Sequence, residues 1–313
     1  MRVTGNSITN TLISQLNLLA ARQVRLQSQA TTGQRIQAPE DDPAAMGRAL
    51  TLQAEDTDAG QYARNISTLQ HRAGTVSDAF AALKKISDRA GEIATLADGT
   101  RSPQELQIYG TELRQLIQQA VQLANTRDGD QYVFAGTRGD QSPYAATTDT
   151  DGNVAAVAYQ GNASVAPTEI AQGSTLSVTA PGENNAGTGP RGVFSDSRYG
   201  ADFFNHLIAL QNHLLTGNTT AISTQDRLAL QHDEDNLIFQ TANNGVVQAR
   251  LETAAADTDT RKLSTRQALA DVAGADLTDT LVQLNQTQNA YQVALQSSAK
   301  ILQLQQSLLN YLP

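Results

Sequence analysis

Apolar residues recur along this chain in alternating steps of four and three, and the longest such lines lie at its two ends. Leu12, Leu16, Leu19, Gln23, Leu26 and Ala30 form the first. Leu277, Leu281, Leu284, Gln288, Tyr291, Leu295, Ser298, Leu302, Gln305, Leu309 and Leu312 form the last. A mean step of about 3.5 residues keeps one stripe of a helix facing a partner helix and predicts left-handed coiled coils. The last line covers roughly 36 residues, or ~54 Å of helix, which suits a rod better than a compact domain. The polar members Gln23, Gln288 and Gln305 lower the stability of such a seam and can fix its register.

The interior repeats the pattern. Ile66, Leu69, Ala73, Val76, Phe80, Leu83, Ser87 and Ala90 form one line; Leu106, Tyr109, Leu113, Leu116, Ala120 and Leu123 form another. Between them, Asp98-Gly99-Thr100-Arg101-Ser102-Pro103 reads as a stop, a turn and a restart. Gly99 suits the position just past a helix C-terminus. Ser102 can cap the next helix, with Pro103 first inside it and Glu105 completing a capping box. Further helices are predicted over 201–216 and about 224–262, the latter loosened by Asn243-Asn244-Gly245.

From about 131 to 200 the period shortens. Gln131–Thr137, Val154–Gln160 and Ser174–Ala180 read as strands, Asp151-Gly152-Asn153 as a hairpin turn, and 181–192 as a Gly/Asn/Pro loop. The predicted fold is mainly α with a β-rich insertion, an elongated rod of long antiparallel coiled-coil helices. Its parts are a terminal coiled-coil domain (1–40 with 272–313), a helical rod domain (41–137 with 201–271) and an outer β-rich insertion (138–200).

Composition narrows the function. Aromatic residues make up 4% of the chain and Trp is absent, which favours thin helical seams over thick cores. With no Cys there is no disulfide, thiolate metal site or cysteine nucleophile. A net charge of −9 argues against nucleic acid as a partner. No segment has the length and apolarity of a membrane span, and the N-terminus lacks the continuous apolar core of a secretory signal. Residues 1–39 carry Arg2, Arg22, Arg25 and Arg35 without an acidic residue, a pattern shared with organelle transit peptides and membrane-surface helices. The narrow leucine stripe and the matching line at the other end favour a partner helix.

Candidate chemistry is sparse. Gly182 to Gly187 has the glycine spacing of a phosphate loop, but Thr188-Gly189 follow where Lys and Ser or Thr are needed. From Asp149, Gly152 comes too early for a calcium loop and Gln160 stands where its closing Glu is needed, so Asp149 to Asn153 reads as a turn. His206 and His213 share a helix face, two ligands where zinc needs at least three from the protein. His232 beside Asp233, Glu234 and Asp235 reads as a solvated face. The reading is a non-enzyme without catalytic, cofactor or metal residues.

Two motifs make the reading specific. Thr32-Gly33-Gln34-Arg35-Ile36, followed by Pro39-Glu40-Asp41-Asp42-Pro43-Ala44-Ala45, resembles a segment of the flagellin superfamily. Asn125 to Thr137, with Tyr132, Phe134 and Gly136, resembles the same superfamily in its hook–filament junction branch, as does Pro43 after the Asp pair. Asn244 to Glu252 and Ser307 to Leu312 fit as well. The resemblance covers about two-thirds of the chain and leaves out the insertion. It implies a structural subunit at the junction of hook and filament, with a filament subunit or a coiled-coil scaffold as alternatives. It further implies a ring of identical copies between hook-associated protein 1 and flagellin, and a cytoplasmic chaperone on the C-terminal helix. Export would run unfolded through the flagellar type III channel, without a cleaved signal peptide. The leucines of the two terminal lines, with Tyr291, would be the assembly seam.

Overall fold

In a computed structural model the backbone is described for residues 2–178 and 180–310, with side chains for 10–178, 180–301, 303 and 304. Leu312 lies outside the described residues, as do the side chains of Leu302 and Leu309.

The helices are α1 (Arg2–Thr32), α2 (Pro43–Leu96), α3 (Pro103–Ala124), α4 (Phe203–Thr216), a short α5 (Thr219–Ala221), α6 (Arg227–Ala273) and α7 (Leu277–Asn310). A π-helical turn, Ile222–Asp226, joins α5 to α6. The strands form four antiparallel pairs: β1 (Arg127–Asp128) with β2 (Gln131–Tyr132), β3 (Tyr144–Thr148) with β4 (Val154–Tyr159), β5 (Thr168–Ala171) with β6 (Ser174–Leu176), and β7 (Ser195–Asp196) with β8 (Ala201–Asp202). The chain is thus mainly helical with small antiparallel strand pairs. It divides into two compact units, residues 1–58 with 261–313, and residues 59–260.

Local chemistry explains most boundaries. Ser102 accepts from the Glu105 amide while Glu105 Oε2 accepts from the Ser102 amide at 2.9 Å, so the capping box forms as read. Gly99 does not adopt the left-handed conformation expected of it. Instead α2 stops at Leu96 and the Asp98 carboxylate closes the turn, accepting from the Thr100 amide at 3.0 Å and from its hydroxyl at 2.6 Å. Asn243-Asn244-Gly245 does not interrupt α6, because the amides of Asn244 and Gln248 both donate to Ala73 O at 3.0 Å and fasten α6 to α2 there. The hairpin turn is held by Asp149, whose Oδ1 accepts from the Asp151 and Asn153 amides at 2.9 and 2.8 Å, with Gly152 at φ +79.

The second unit (59–260) holds a core thicker than the composition suggests. Phe80, Phe134, Phe194, Phe203 and Phe204 are buried with Tyr144, and ring centroids lie 5.0 to 6.1 Å apart. Five of the chain's six phenylalanines are pooled in this one cluster. The Ile66-to-Ala90 line is buried along its whole length. On α3 the buried line is Leu106, Gly110, Leu113, Ile117, Ala120 and Ala124, with Tyr109, Leu116 and Leu123 beside it, half-buried. Gly110 lets α4 approach closely, since a Cβ there would meet the Leu215 side chain at 2.9 Å and force it to shift.

Candidate assembly site

The two terminal helices come together in the first unit (1–58 with 261–313). Its α1 and α7 pack along one another. The registry is antiparallel: Arg22 Nη2 reaches Gln283 Oε1 at 3.5 Å, and Gln34 bridges Gly274. On α1 the line read from the sequence is the covered one, with Leu26 buried and Leu12, Leu16 and Leu19 half-buried.

On α7 the covered line is different. Its buried residues are Thr280, Thr287 and Ser298, and with Leu284, Tyr291 and Ala294 they again step by four and three. Leu284, Tyr291 and Ser298 belong to both lines. Leu277, Leu281 and Leu295 sit one position round the helix and are 49%, 50% and 43% exposed. Val282 and Val293 are also exposed. The Thr280, Thr287 and Ser298 hydroxyls are satisfied by the carbonyls one turn back, at 2.6, 2.7 and 2.7 Å, which lets these small residues face α1 without stranding a donor. A search for leucine spacing overlooks this line. The signal that finds it is a run of small residues at heptad spacing.

The motif after α1 is a clamp. Gly33, at φ +69, ends the helix and turns the chain. The Arg35 amide then donates to Ala273 O at 2.8 Å, the Ala275 amide donates to Gly33 O at 2.9 Å, and Arg35 Nη2 donates to Val272 O at 3.1 Å. Ile36 is buried. Asp41 Oδ2 accepts from the amides of Gln37 and Ala38 at 3.0 and 3.1 Å, and Arg25 meets Oδ1 at 2.7 Å. The two backbone donors, and then the Arg25 charge, hold its carboxyl below the ordinary value. Asp42 Oδ1 accepts from the Ala45 amide at 3.0 Å, an N-cap for α2 with Pro43 first inside the helix. Each conspicuous residue of the motif therefore fixes where the chain leaves α1 and enters α2.

The second motif serves the core of residues 59–260. Phe134 joins the Phe80 and Phe194 rings, Tyr132 lies under the Arg127 guanidinium at 5.0 Å, and Gly136, at φ +66, sits where a Cβ would strike Asn162.

The histidines do not converge. His206 Nδ1 lies 2.8 Å from Asp233 and His213 Nδ1 lies 2.7 Å from Asp226, two separate pairs that tie α4 to α6 and to the π turn before it. Among the described residues no group of three or more His, Asp or Glu side chains is placed to hold a metal ion. No described helix is long and apolar enough to cross a membrane.

Residues 3–138 match the bacterial flagellin N-terminal helical region. Over that stretch the chain is similar to flagellins. Among curated relatives, flagellar hook-associated protein 3 of Escherichia coli (strain K12) is 24% identical over 283 residues, covering 85% of this chain and 86% of the relative. A solved flagellar hook-associated protein from Vibrio parahaemolyticus shares the fold at a TM-score of 0.61 and 20% identity, covering 75% of this chain and 100% of that one. The crystal structure of Bacillus cereus FlgL is similar at a TM-score of 0.54 and 17% identity, over 70% of this chain and 99% of that one. The Thr32-to-Ala45 and Asn125-to-Thr137 motifs both lie within the matched residues.

Proposed function

We propose that this flagellin-like chain is a structural subunit of the bacterial flagellum that joins hook to filament. The observation that carries the reading is α7, a long helix that covers one face with threonine and serine and leaves Leu277, Leu281 and Leu295 exposed. Fully burying one large aliphatic side chain is worth about 1.5–3 kcal/mol, so a repeated leucine line is a standing drive toward association. The 24% identity to hook-associated protein 3, spread over most of both chains, supports the junction in particular. Pro43 after the Asp pair favours the junction branch over a filament subunit.

On this reading identical copies form a ring with hook-associated protein 1 on one side and flagellin on the other. The leucines from Leu12 to Leu26 and from Leu277 to Leu312 form the seam within and between copies. The terminal helices and the middle helices make a coiled-coil rod, with residues 138–200 as its outer insertion. A cytoplasmic chaperone holds the C-terminal helix before export through the type III channel, without removal of a signal peptide. The role is structural rather than catalytic, with no cofactor.

The test is placement. The chain, tagged within the hairpin turn 149–153, is expressed in flagellated cells whose own hook-associated protein 3 has been deleted. Restored filaments with label at the hook–filament boundary are expected. Label along the filament would make it a filament subunit, and no incorporation would overturn the flagellar assignment.

A further inference from the structure

A cavity of about 310 Å³ opens in the second unit. Val76 and Phe80 of α2, Val178, Ala180 and Val247 give it apolar walls, and Arg191 lies on its lining beside Gln240 and Asn244. Its size falls in the range of small-ligand pockets, about 300–1,000 Å³, and so does its makeup of apolar walls with a few placed polar groups.

Arg191 is unusual in two ways. Its guanidinium carbon lies 3.6 Å from the Tyr199 ring centroid and 4.4 Å from that of Phe239. Two aromatic rings therefore hold the fork, and its hydrogen-bonding edge is left for another group. Its Nε–H is buried and has no hydrogen-bond partner. Asp196 and Asp235 act on it only at a distance, and among the described residues Arg191 makes no ion pair. The contrast is Arg198 nearby, whose guanidinium meets Asp196 at 2.5 Å. One arginine of this loop has its carboxylate, and the other lacks one.

The backbone that carries Arg191 is fastened on every side. Asn184 Nδ2 donates to Pro190 O at 2.6 Å, and Gln240 Nε2 to Arg191 O at 3.0 Å. Asn236 Nδ2 donates to Gly192 O at 3.1 Å and to Val193 O at 2.7 Å. Gly192 has no room for a side chain, since a Cβ would strike Ser195 O. Rigid support of this kind lowers the entropy lost when a ligand is gripped. It is more than a surface arginine needs for solubility.

We propose that this cavity receives a carboxylate borne on a short apolar body, with Arg191 as the binding fork. The carboxylate would be gripped by the Arg191 guanidinium, and the apolar body would lie against Val76, Phe80 and Val247. Such a group can come from a small organic acid or from an acidic side chain, flanked by apolar residues, on a second copy of this chain. The proposal does not depend on the flagellar assignment.

The experiment titrates the purified full chain with 3-phenylpropionate and with 3-phenylpropanol near pH 7, by calorimetry. It also follows self-association by sedimentation over a range of concentrations. A charge-assisted fork contributes about 1.5–3 kcal/mol, so the acid should bind roughly tenfold or more tightly than the alcohol. Arg191→Gln should abolish that preference. Arg191→Lys should lose most of it, because an ammonium keeps the charge but not the fork. Val247→Phe, which fills the cavity and leaves Arg191 in place, should block the acid as well; unchanged melting curves confirm that the variants are folded. If the acid does not bind, but the chain self-associates and Arg191→Gln abolishes this, the carboxylate comes from a second copy. Equal binding of acid and alcohol would overturn the proposal. So would an absence of both acid binding and Arg191-dependent association.

Discussion

The two units of this chain solve opposite problems. The unit of residues 59–260 buries its best hydrophobes: Phe80, Phe134, Phe194 and Phe203 are each at most 1% exposed. The unit of residues 1–58 and 261–313 does the reverse on α7, where threonine and serine are covered and leucine is left in solvent. The first kind of packing is complete within one chain. The second leaves Leu277, Leu281 and Leu295 uncovered, which on the proposed reading is burial still available to a neighbour. A subunit that must fold first and associate afterwards needs both kinds.

The comparison breaks most sharply at the exposed leucines. Leu281→Asp combined with Leu295→Asp should abolish incorporation into flagella. It should leave the melting curve of the isolated chain almost unchanged, since exposed substitutions usually shift stability within about 0.5 kcal/mol. A large loss of stability in the monomer would show that these leucines already serve the single chain. Phe134→Ala should do the opposite, costing about 3–5 kcal/mol of the stability of the second unit and lowering its melting temperature before any effect on association is reached.

A smaller effect is expected from pH, and it should be confined to the aromatic unit. Burial works against the His206 cation, but the hydrogen bond and charge of Asp233, with Asp202 and Asp226 behind it, outweigh this and raise its pKa above the ordinary value. Burial pushes the Asp233 carboxyl up, in spite of His206. Burial, and then Asp202, push Glu183 up to about 7. A group whose pKa is raised on folding adds stability below its unfolded pKa and loses it as pH rises through the folded one. All three groups tilt the same way. The second unit should therefore melt higher near pH 5 than near pH 8, and Glu183→Gln with His206→Asn should flatten the slope. A melting temperature that rises toward pH 8 would contradict the sign. The smallest expected effect is at the start of α3, where Ser102→Ala removes the cap and should cost about 1 kcal/mol in chemical denaturation.

Much of this was legible in the sequence because it is local. The Ser102–Glu105 box, the Asp149 turn, and the buried line from Ile66 to Ala90 each follow from residues a few positions apart. What escaped depends on distant partners. The offset between the covered and the leucine lines of α7 arises because Thr280 and Thr287 fit against α1, and no property of α7 alone says so. The His206–Asp233 and His213–Asp226 pairs were invisible for the same reason; His232, beside Asp233 in the sequence, is not its partner. The pooling of scarce phenylalanines around Phe134 defeats any argument from composition, since an average says nothing about where residues gather.

The π turn at Ile222–Asp226 bears on a different question, how the chain tolerates changes of length. A π turn is an α-helix holding one residue more than its hydrogen-bond ladder needs. Ser223, Thr224 and Gln225 are exposed within it, while Ile222 and Asp226 are buried on either side. Losing one of the three exposed residues would let the segment close into ordinary α-helix with the buried residues on both sides kept in phase. The same loss between His206 and His213 in α4 would turn every later side chain by about 100°, given 3.6 residues per turn, so the two histidines could no longer both meet their aspartates. The surplus residue is thus slack in the count of the chain, a point where a deletion can be absorbed.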